Sequence, residues 1–88
     1  MPSFEQTEEI RRVISAHARL SVDAATLSSH TDLFGAGMTS HASVNVMLAL
    51  EAAFDVEFPD RMLKRSVFES IQAIAVAIEE LQSVDAAA

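Results

Sequence analysis

The stretch Asp32-Leu33-Phe34-Gly35-Ala36-Gly37-Met38-Thr39-Ser40-His41 leads directly into an apolar segment that runs from Ala42 to Phe54. Its glycines favour a turn, and the turn delivers a small hydroxyl residue, Ser40, to the first position of a helix. The apolar residues of that helix lie on two faces instead of one. The pattern therefore predicts a helix that joins a core on one side and offers a surface, beside an accessible hydroxyl, on the other.

Composition limits the functions that are open to this chain. It has 88 residues, no cysteine and a net charge of −7 from 13 acidic and 6 basic residues. A domain of this size supports one modest core and no deep catalytic cleft. No apolar run approaches the roughly 20 residues that span a bilayer, and the first residues lack the pattern of a secretion signal. The acidic surplus disfavours nucleic acid and anionic membranes as partners. Taken together, these features lead us to expect a single domain over residues 1–88 that is monomeric and cytoplasmic.

The apolar residues recur at helical spacing and predict four helical segments and no strand. Ser3 can cap the first helix, with Gln6 completing a capping box, and Ser70 can cap the last. The buried side of the first helix is expected to comprise Ile10, Val13, Ile14, His17 and Leu20. That of the last helix is expected to comprise Ile71, Ile74, Ile78 and Leu81. The ordered core should cover about residues 4–81, and the tail 82–88 should fray.

A long connection and two further helices lie between these two. Residues 21–38 form the connection, and its apolar side chains should pin it across the helices: Val22, Leu27, Leu33 and Phe34. The second helix runs from about Ser40 to Phe54. It ends before Pro59, which lacks an amide hydrogen and biases Phe58 toward extended geometry. A short third helical turn is expected at about Asp60 to Arg65.

The second helix has two apolar faces. One is continuous with the core and comprises Ser43, Val46, Met47, Leu50 and Phe54. The other carries His41, Val44, Leu48 and Ala52. Burial of the helix on all sides would also explain the pattern, but it is hard to arrange in so small a domain. We therefore interpret the second face as a docking surface.

Ser40 has two interpretations. It could be an ordinary helix cap, which is the commoner role of a serine at a helix start. Thr39 can cap the helix instead, and the Ser40 hydroxyl would then be available for modification. A phosphodiester on Ser40 would lie against the positive end of the helix, an interaction that contributes roughly 0.3–1 kcal/mol at an exposed site.

Several motifs, in order, resemble the acyl carrier protein family over about residues 4–81. The family typically reads D-L, then G-x-D-S-L, then a helix that ends in L-E-x-x-F, then a short extended [IV]-x-[FI]-P-[DE]. The matching segments are Asp32-Leu33, Gly37-Met38-Thr39-Ser40-His41, Leu50-Glu51-Ala52-Ala53-Phe54 and Val56-Glu57-Phe58-Pro59-Asp60. The resemblance implies an all-α, right-handed four-helix bundle with a short third helix and a long loop between helices 1 and 2. It also implies that a phosphopantetheinyl transferase attaches 4′-phosphopantetheine from coenzyme A to Ser40.

Two departures narrow the resemblance. Thr39 and His41 replace the usual Asp and Leu, and Glu51 is the one acid of a helix that is strongly acidic in fatty-acid carriers. The segment from Gly37 to Ile71 is more similar to bacterial carriers served by amino acid:[carrier protein] ligases, which resemble class II aminoacyl-tRNA synthetases. This implies that an amino acid is held as a thioester, loaded by such a ligase and passed to an unknown acceptor enzyme. The expected partner-binding residues are Met38, Thr39, His41, Val44, Leu48 and Ala52.

Two other functions stay open, and enzymatic catalysis is disfavoured. The chain could be a general acyl carrier for fatty-acid or polyketide synthesis, or a cofactor-free helical interaction module. The expected interior positions hold bulky side chains, which favours a filled core and a small cargo: Phe34, Met47, Leu50, Phe54, Phe68 and Ile74. Ser40 and His41 point about 100° apart on a helix and cannot readily share a proton. His17, His30 and His41 lack metal-ligand spacing, so no catalytic or metal site is expected.

Overall fold

A computed structural model describes residues 4–87 of the chain, with the side chains described as far as Ser83. Over these residues the chain forms four α-helices and no strand: α1 (Phe4–His17), α2 (Ser40–Phe54), α3 (Arg65–Phe68) and α4 (Ile71–Ala87). Two short 3-10 turns, Ala24–Thr26 and Asp60–Met62, lie in the connections. The predicted all-α fold, with its short third helix and long first connection, is confirmed. None of the described helices has the length and apolar character needed to cross a membrane.

The core lies where α1 packs against α2 and α4, with α3 packed on α4. Three helices, α1, α2 and α4, and the first connection supply its largest fully buried side chains: Ile10, Ile14, Leu33, Val46, Leu50, Ile71, Ile74 and Ile78. The predicted buried side of α4 is therefore confirmed, and Leu81 completes it at the edge of the core. The Ser70 hydroxyl accepts the Ala73 N–H at 3.0 Å, which confirms the predicted cap of this helix.

The end of α1 departs from the prediction. His17 is exposed and Leu20 only half-buried, whereas Ala18 is fully buried. The helix stops at His17, and Arg19 then adopts a left-handed conformation with φ 54°. The helical period therefore no longer decides which side chains face the core beyond residue 17. The expected cap at Ser3 lies outside the described residues.

Polar contacts hold the first connection in place together with its buried apolar side chains. The Arg11 guanidinium donates to the carbonyl oxygens of Ala24 at 2.8 Å and Leu27 at 2.7 Å, which fixes the 3-10 turn on α1. The Leu33 N–H donates to the Glu69 carbonyl at 2.7 Å and anchors the other end beside α4. Leu33 is fully buried as expected, but Val22 is 48% exposed, so its predicted role in pinning the loop is wrong.

The exit from α2 depends on two features of its sequence. Asp55 takes up a left-handed conformation, φ 53°, and ends the helix. The Glu51 carboxylate then accepts the Phe58 N–H at 2.9 Å, so the returning chain is tied back to the last turn. Phe58 packs edge-to-face on Phe68, with ring centroids 5.3 Å apart.

Two helix boundaries need correction. The segment predicted as one short helix, Asp60 to Arg65, divides into the 3-10 turn Asp60–Met62 and the separate one-turn helix α3, which begins only at Arg65. Backbone hydrogen bonds of the i→i+3 kind close the first turn, from Met62 N–H to Pro59 and from Leu63 N–H to Asp60. At the far end, α4 continues to Ala87, so the tail expected to fray from residue 82 is helical in the structure.

Candidate functional site

The turn before α2 is built around Gly37 and Asp32. Gly37 has φ +117°, a conformation that side chains rarely adopt, and a Cβ there would lie 3.2 Å from the Ser21 backbone nitrogen. The Asp32 carboxylate accepts the Phe34 N–H at 3.1 Å, and the Ala36 carbonyl accepts from both the N–H and the hydroxyl of Ser21. Contacts with Ser21, at the other end of the first connection, therefore fix the turn that leads to Ser40.

Thr39, not Ser40, caps α2. Thr39 has extended backbone angles, and its hydroxyl accepts the Ala42 N–H at 3.0 Å. Ser40 is the first helical residue and is exposed. Its carbonyl accepts the Ser43 hydroxyl at 2.6 Å, while its own hydroxyl has no hydrogen-bond partner among the described residues. The prediction that Thr39 leaves the Ser40 hydroxyl available is confirmed.

An open groove of about 370 Å³, mostly apolar, begins at Ser40 and lies between α2 and the segment that leads into α3. One wall belongs to the first two turns of α2 and comprises Ser40, Ser43, Val44 and Met47. We call this feature the α2–α3 groove. A hydroxyl at the head of an apolar groove can carry a flexible group that lies partly along the groove.

The opposite wall of the α2–α3 groove is formed by Leu63, Lys64 and Arg65, and two aromatic residues, Phe34 and Phe68, complete it. The Arg65 guanidinium carbon lies 4.1 Å from the centroid of the Phe34 ring, a cation–π contact that joins the turn before α2 to α3. None of the described residues that line the groove is acidic, although the chain as a whole carries a net charge of −7.

The groove bears on the expectation of a filled core. Leu50 and Ile74 are fully buried and Phe68 is nearly so, as expected. Phe34, Met47 and Phe54 are only half-buried, and the first two line the groove instead of filling an interior. Phe34 and Met47 therefore belong to an open surface beside Ser40, whereas Leu50 and Ile74 belong to the core.

The face of α2 predicted to dock a partner is exposed at each of its four positions. Val44 is 50% exposed and Leu48 is 54% exposed, and His41 and Ala52 are also exposed. This excludes burial of α2 on all sides. Met38, by contrast, is only 2% exposed, because the turn directs it into the core, so its predicted place on the partner-binding surface is wrong.

The sequence analysis missed two features of this site: the exposed side chain of Leu63 and the contact between Arg65 and Phe34. Leu63, 50% exposed, faces Val44 across the groove and extends the apolar surface of α2. Arg65 and Phe34 are separated by the whole of α2 in sequence, so no local motif announces their contact. The one available signal was the basic run Arg61, Lys64 and Arg65 in an acidic chain. Among the described residues no group of three His, Cys, Asp or Glu side chains could hold a metal ion.

A four-helix domain that presents an exposed serine hydroxyl at the start of its second helix, at the head of an apolar groove, has the architecture of a carrier protein. The chain belongs to the family described as "phosphopantetheine attachment site", whose model matches residues 8–78. The cofactor of this family is 4′-phosphopantetheine. The family assignment and the predicted cofactor are therefore confirmed.

Within this family, the chain is similar to an aminoacyl carrier protein and to carrier proteins in complex with a glycine:[carrier protein] ligase. The chain is 45% identical over 65 residues to the aminoacyl carrier protein of Agrobacterium fabrum, covering 74% of this chain and 78% of the relative. It also matches a structure of engineered Bradyrhizobium japonicum glycine:[carrier protein] ligase complexed with carrier protein from Agrobacterium tumefaciens and ATP. That match has a TM-score of 0.83 at 39% identity and covers 85% of this chain and 97% of the other. A complex of the Bradyrhizobium ligase with glycylated carrier protein matches at 26% identity and a TM-score of 0.71, over 83% of this chain and 97% of the other.

Proposed function

We propose that this chain is an aminoacyl carrier protein that bears 4′-phosphopantetheine on Ser40. The observation that carries the proposal is that two neighbouring hydroxyl residues have different roles at the start of α2. Thr39 caps the helix, and the exposed Ser40 hydroxyl is left at the head of the α2–α3 groove. The similarity to an aminoacyl carrier protein supports an amino acid as cargo. We further infer that residues 1–88 act as one monomeric carrier domain in the cytoplasm, with no catalytic activity of its own.

The residues at this site fit the proposed cofactor. The exposed Ser40 hydroxyl can form a phosphodiester, and the unpaired amides at the start of α2 favour a negative charge beside it. In the attachment step, a phosphopantetheinyl transferase binds coenzyme A, and Ser40 Oγ attacks the phosphorus nearest the pantetheine. The phosphoanhydride bond breaks, adenosine 3′,5′-bisphosphate leaves with the electron pair, and the hydroxyl proton passes to a base.

When bound, the arm supplies a thiol that holds an aminoacyl group as a thioester. The chain's own contribution is to present this arm and to dock the enzymes that load and unload it. The loading enzyme is an amino acid:[carrier protein] ligase resembling a class II aminoacyl-tRNA synthetase, and complexes of similar carrier proteins with glycine:[carrier protein] ligases support this partner. The exposed face of α2 comprising His41, Val44, Leu48 and Ala52 is the proposed docking surface.

Intact-mass spectrometry tests the attachment site. Incubation with coenzyme A and a broad-specificity transferase should add one phosphopantetheine to the natural chain and none to Ser40→Ala. Thr39→Ala is the matched control, because it removes the neighbouring hydroxyl and should still be modified. Modification of the Ser40→Ala protein would refute the assignment, and a natural chain that gains no mass would favour the cofactor-free interaction module.

The second candidate function is a general acyl carrier, and the open groove beside Ser40 is the observation that favours it. Loading decides between the two. The modified protein is incubated with a synthetase-like ligase, ATP and amino acids, and in parallel with an acyl-carrier synthetase and fatty acids. Amino acids should be loaded efficiently. Efficient loading of long acyl chains with no loading of amino acids would contradict the aminoacyl assignment.

A further inference from the structure

We propose that Lys64 and Arg65 form a cationic clamp for the phosphodiester on Ser40, so that the root of the arm is held across the α2–α3 groove. This inference rests on the proposed function, since it requires the arm on Ser40. The clamp is a binding site for a singly charged phosphodiester, formed by residues of the segment opposite the modified helix. It would set the direction in which the arm leaves the protein.

The first support is the placement of the charges. Three of the six basic residues of the chain, Arg61, Lys64 and Arg65, lie within five positions of one another. Lys64 and Arg65 line the same groove as Ser40, and both are exposed. None of the described residues that line this groove is acidic, so the two positive charges are not neutralised by groove residues in the part of the chain that the structure describes. An anion on Ser40 would add a negative group beside them.

The second support is that Arg65 is already held in place. Its guanidinium carbon lies 4.1 Å from the centroid of the Phe34 ring, and that ring also lines the groove. A cation–π contact occupies the flat face of a guanidinium and leaves its N–H groups, which lie in its plane, available to bind oxygen. Guanidinium and phosphate groups match well in geometry. Because the Phe34 contact already restrains Arg65, its side chain has little freedom left to lose when the phosphodiester is bound.

The third support is the contrast with the remaining basic residue of the segment. Arg61 donates to the Glu80 carboxylate of α4 at 3.4 Å and lines a different groove, between this segment and α4. Lys64 lines both grooves, whereas Arg65 lines the α2–α3 groove and Arg61 lines the groove beside α4. Position and partner thus separate Arg61 from Arg65. Arg61 therefore provides a control variant of the same charge and similar exposure in the same short segment.

The test uses the natural chain carrying the arm, with the modification on Ser40 first confirmed by intact mass. A chain that gains no mass at Ser40 contradicts the proposed function itself, whereas the measurements below address the clamp alone. Side-chain NMR spectra of the arginine Nε–H groups are compared before and after modification. The Arg65 resonance should shift when the arm is attached and return toward its original position in high salt, because salt screens an exposed ion pair. The Arg61 resonance should not move.

Phosphorus-31 NMR of the modified protein provides the second readout. The double variant Lys64→Gln with Arg65→Gln should shift the phosphodiester resonance, and Arg61→Gln should leave it where it is in the natural chain. Arg65→Lys in an otherwise natural chain keeps both charges and should lie close to the natural resonance. Circular dichroism of each variant verifies that the helices are retained.

Two results would overturn the clamp. One is an Arg65 resonance that does not respond to attachment of the arm. The other is a phosphorus resonance that is equally insensitive to the Lys64 and Arg65 substitutions and to Arg61→Gln. If these substitutions instead weaken only ligase binding, the two cations belong to a protein-docking surface, and the clamp is refuted.

Discussion

The exposed and buried leucines of α2 provide a direct test of the docking surface, because two positions in one helix carry the same residue in opposite environments. Leu48 is 54% exposed, whereas Leu50, two residues later, is fully buried. Truncation of each to alanine removes the same atoms. We expect Leu48→Ala to weaken binding of the loading ligase with a small effect on stability, and Leu50→Ala to lower stability with little direct effect on binding.

The magnitudes follow from the exposed fractions. Full burial of a leucine side chain contributes about 1.5–3 kcal/mol, so covering the exposed half of Leu48 with a partner contributes about 0.8–1.6 kcal/mol. That corresponds to a loss of about 4- to 14-fold in affinity for Leu48→Ala. Its stability should fall by only about 1 kcal/mol, because half of the side chain is already in water. Leu50→Ala empties a core position and should cost about 2–5 kcal/mol.

The assays are calorimetric titration of the ligase into the modified carrier, and urea unfolding of the two variants followed by circular dichroism. Binding is measured at a temperature where both variants are folded, so that loss of structure does not register as loss of affinity. If Leu48→Ala destabilises the protein as much as Leu50→Ala does, this face of α2 is buried and the reasoning fails. Equal affinity of the natural chain and Leu48→Ala for the ligase would show that the partner docks elsewhere.

Two further predictions concern the ends of α2. Thr39→Ala removes the acceptor of the Ala42 N–H and should lower the free energy of unfolding by about 1 kcal/mol, while Thr39→Ser should retain most of it. Urea unfolding measures both, and an unchanged stability of Thr39→Ala would show that another group caps the helix. Glu51→Ala removes the acceptor of the Phe58 N–H at the other end and should cost about 1.5–3 kcal/mol, the range for a hydrogen bond to a charged group. Hydrogen exchange of the Phe58 amide should accelerate in this variant, and unchanged exchange would contradict the role assigned to the carboxylate.

Sequence reasoning placed α2 correctly because both of its ends are specified locally. The cap at Thr39 fixes the start, and Asp55, in a left-handed conformation, ends the helix just before the extended segment that leads to Pro59. The long apolar periods of α1 and α4 likewise predicted their buried sides. Where signal and cause lie within a few residues of each other, the pattern is enough.

The wrong predictions concern features that no local sequence signal specifies. α3 is one turn long, which is too short for any apolar period to show, so its start at Arg65 could not be read. The apolar period wrongly assigns His17, the exposed last residue of α1, to the core. It does not extend to Leu20 either, because Arg19 takes up a left-handed conformation, of which an arginine gives no warning in the sequence. Met38 was placed on the surface because it precedes Ser40, whereas the turn directs it inward. The α2–α3 groove joins residues from three segments and exists only in the folded chain.

The charge distribution connects the site to the choice of partner. α2 contains one acid, Glu51, and its carboxylate already accepts the Phe58 N–H. The exposed face of α2 therefore offers apolar surface and no acidic row to an enzyme that recognises carriers by their negative charge, and across the groove such an enzyme meets Lys64 and Arg65. Like charges brought together at an interface weaken binding and exclude wrong partners. A cognate ligase should therefore present an apolar patch to Val44 and Leu48, and no cluster of basic side chains toward Arg65. This combination of an apolar α2 face and a basic segment across the groove would separate the chain from the carriers of fatty-acid synthesis.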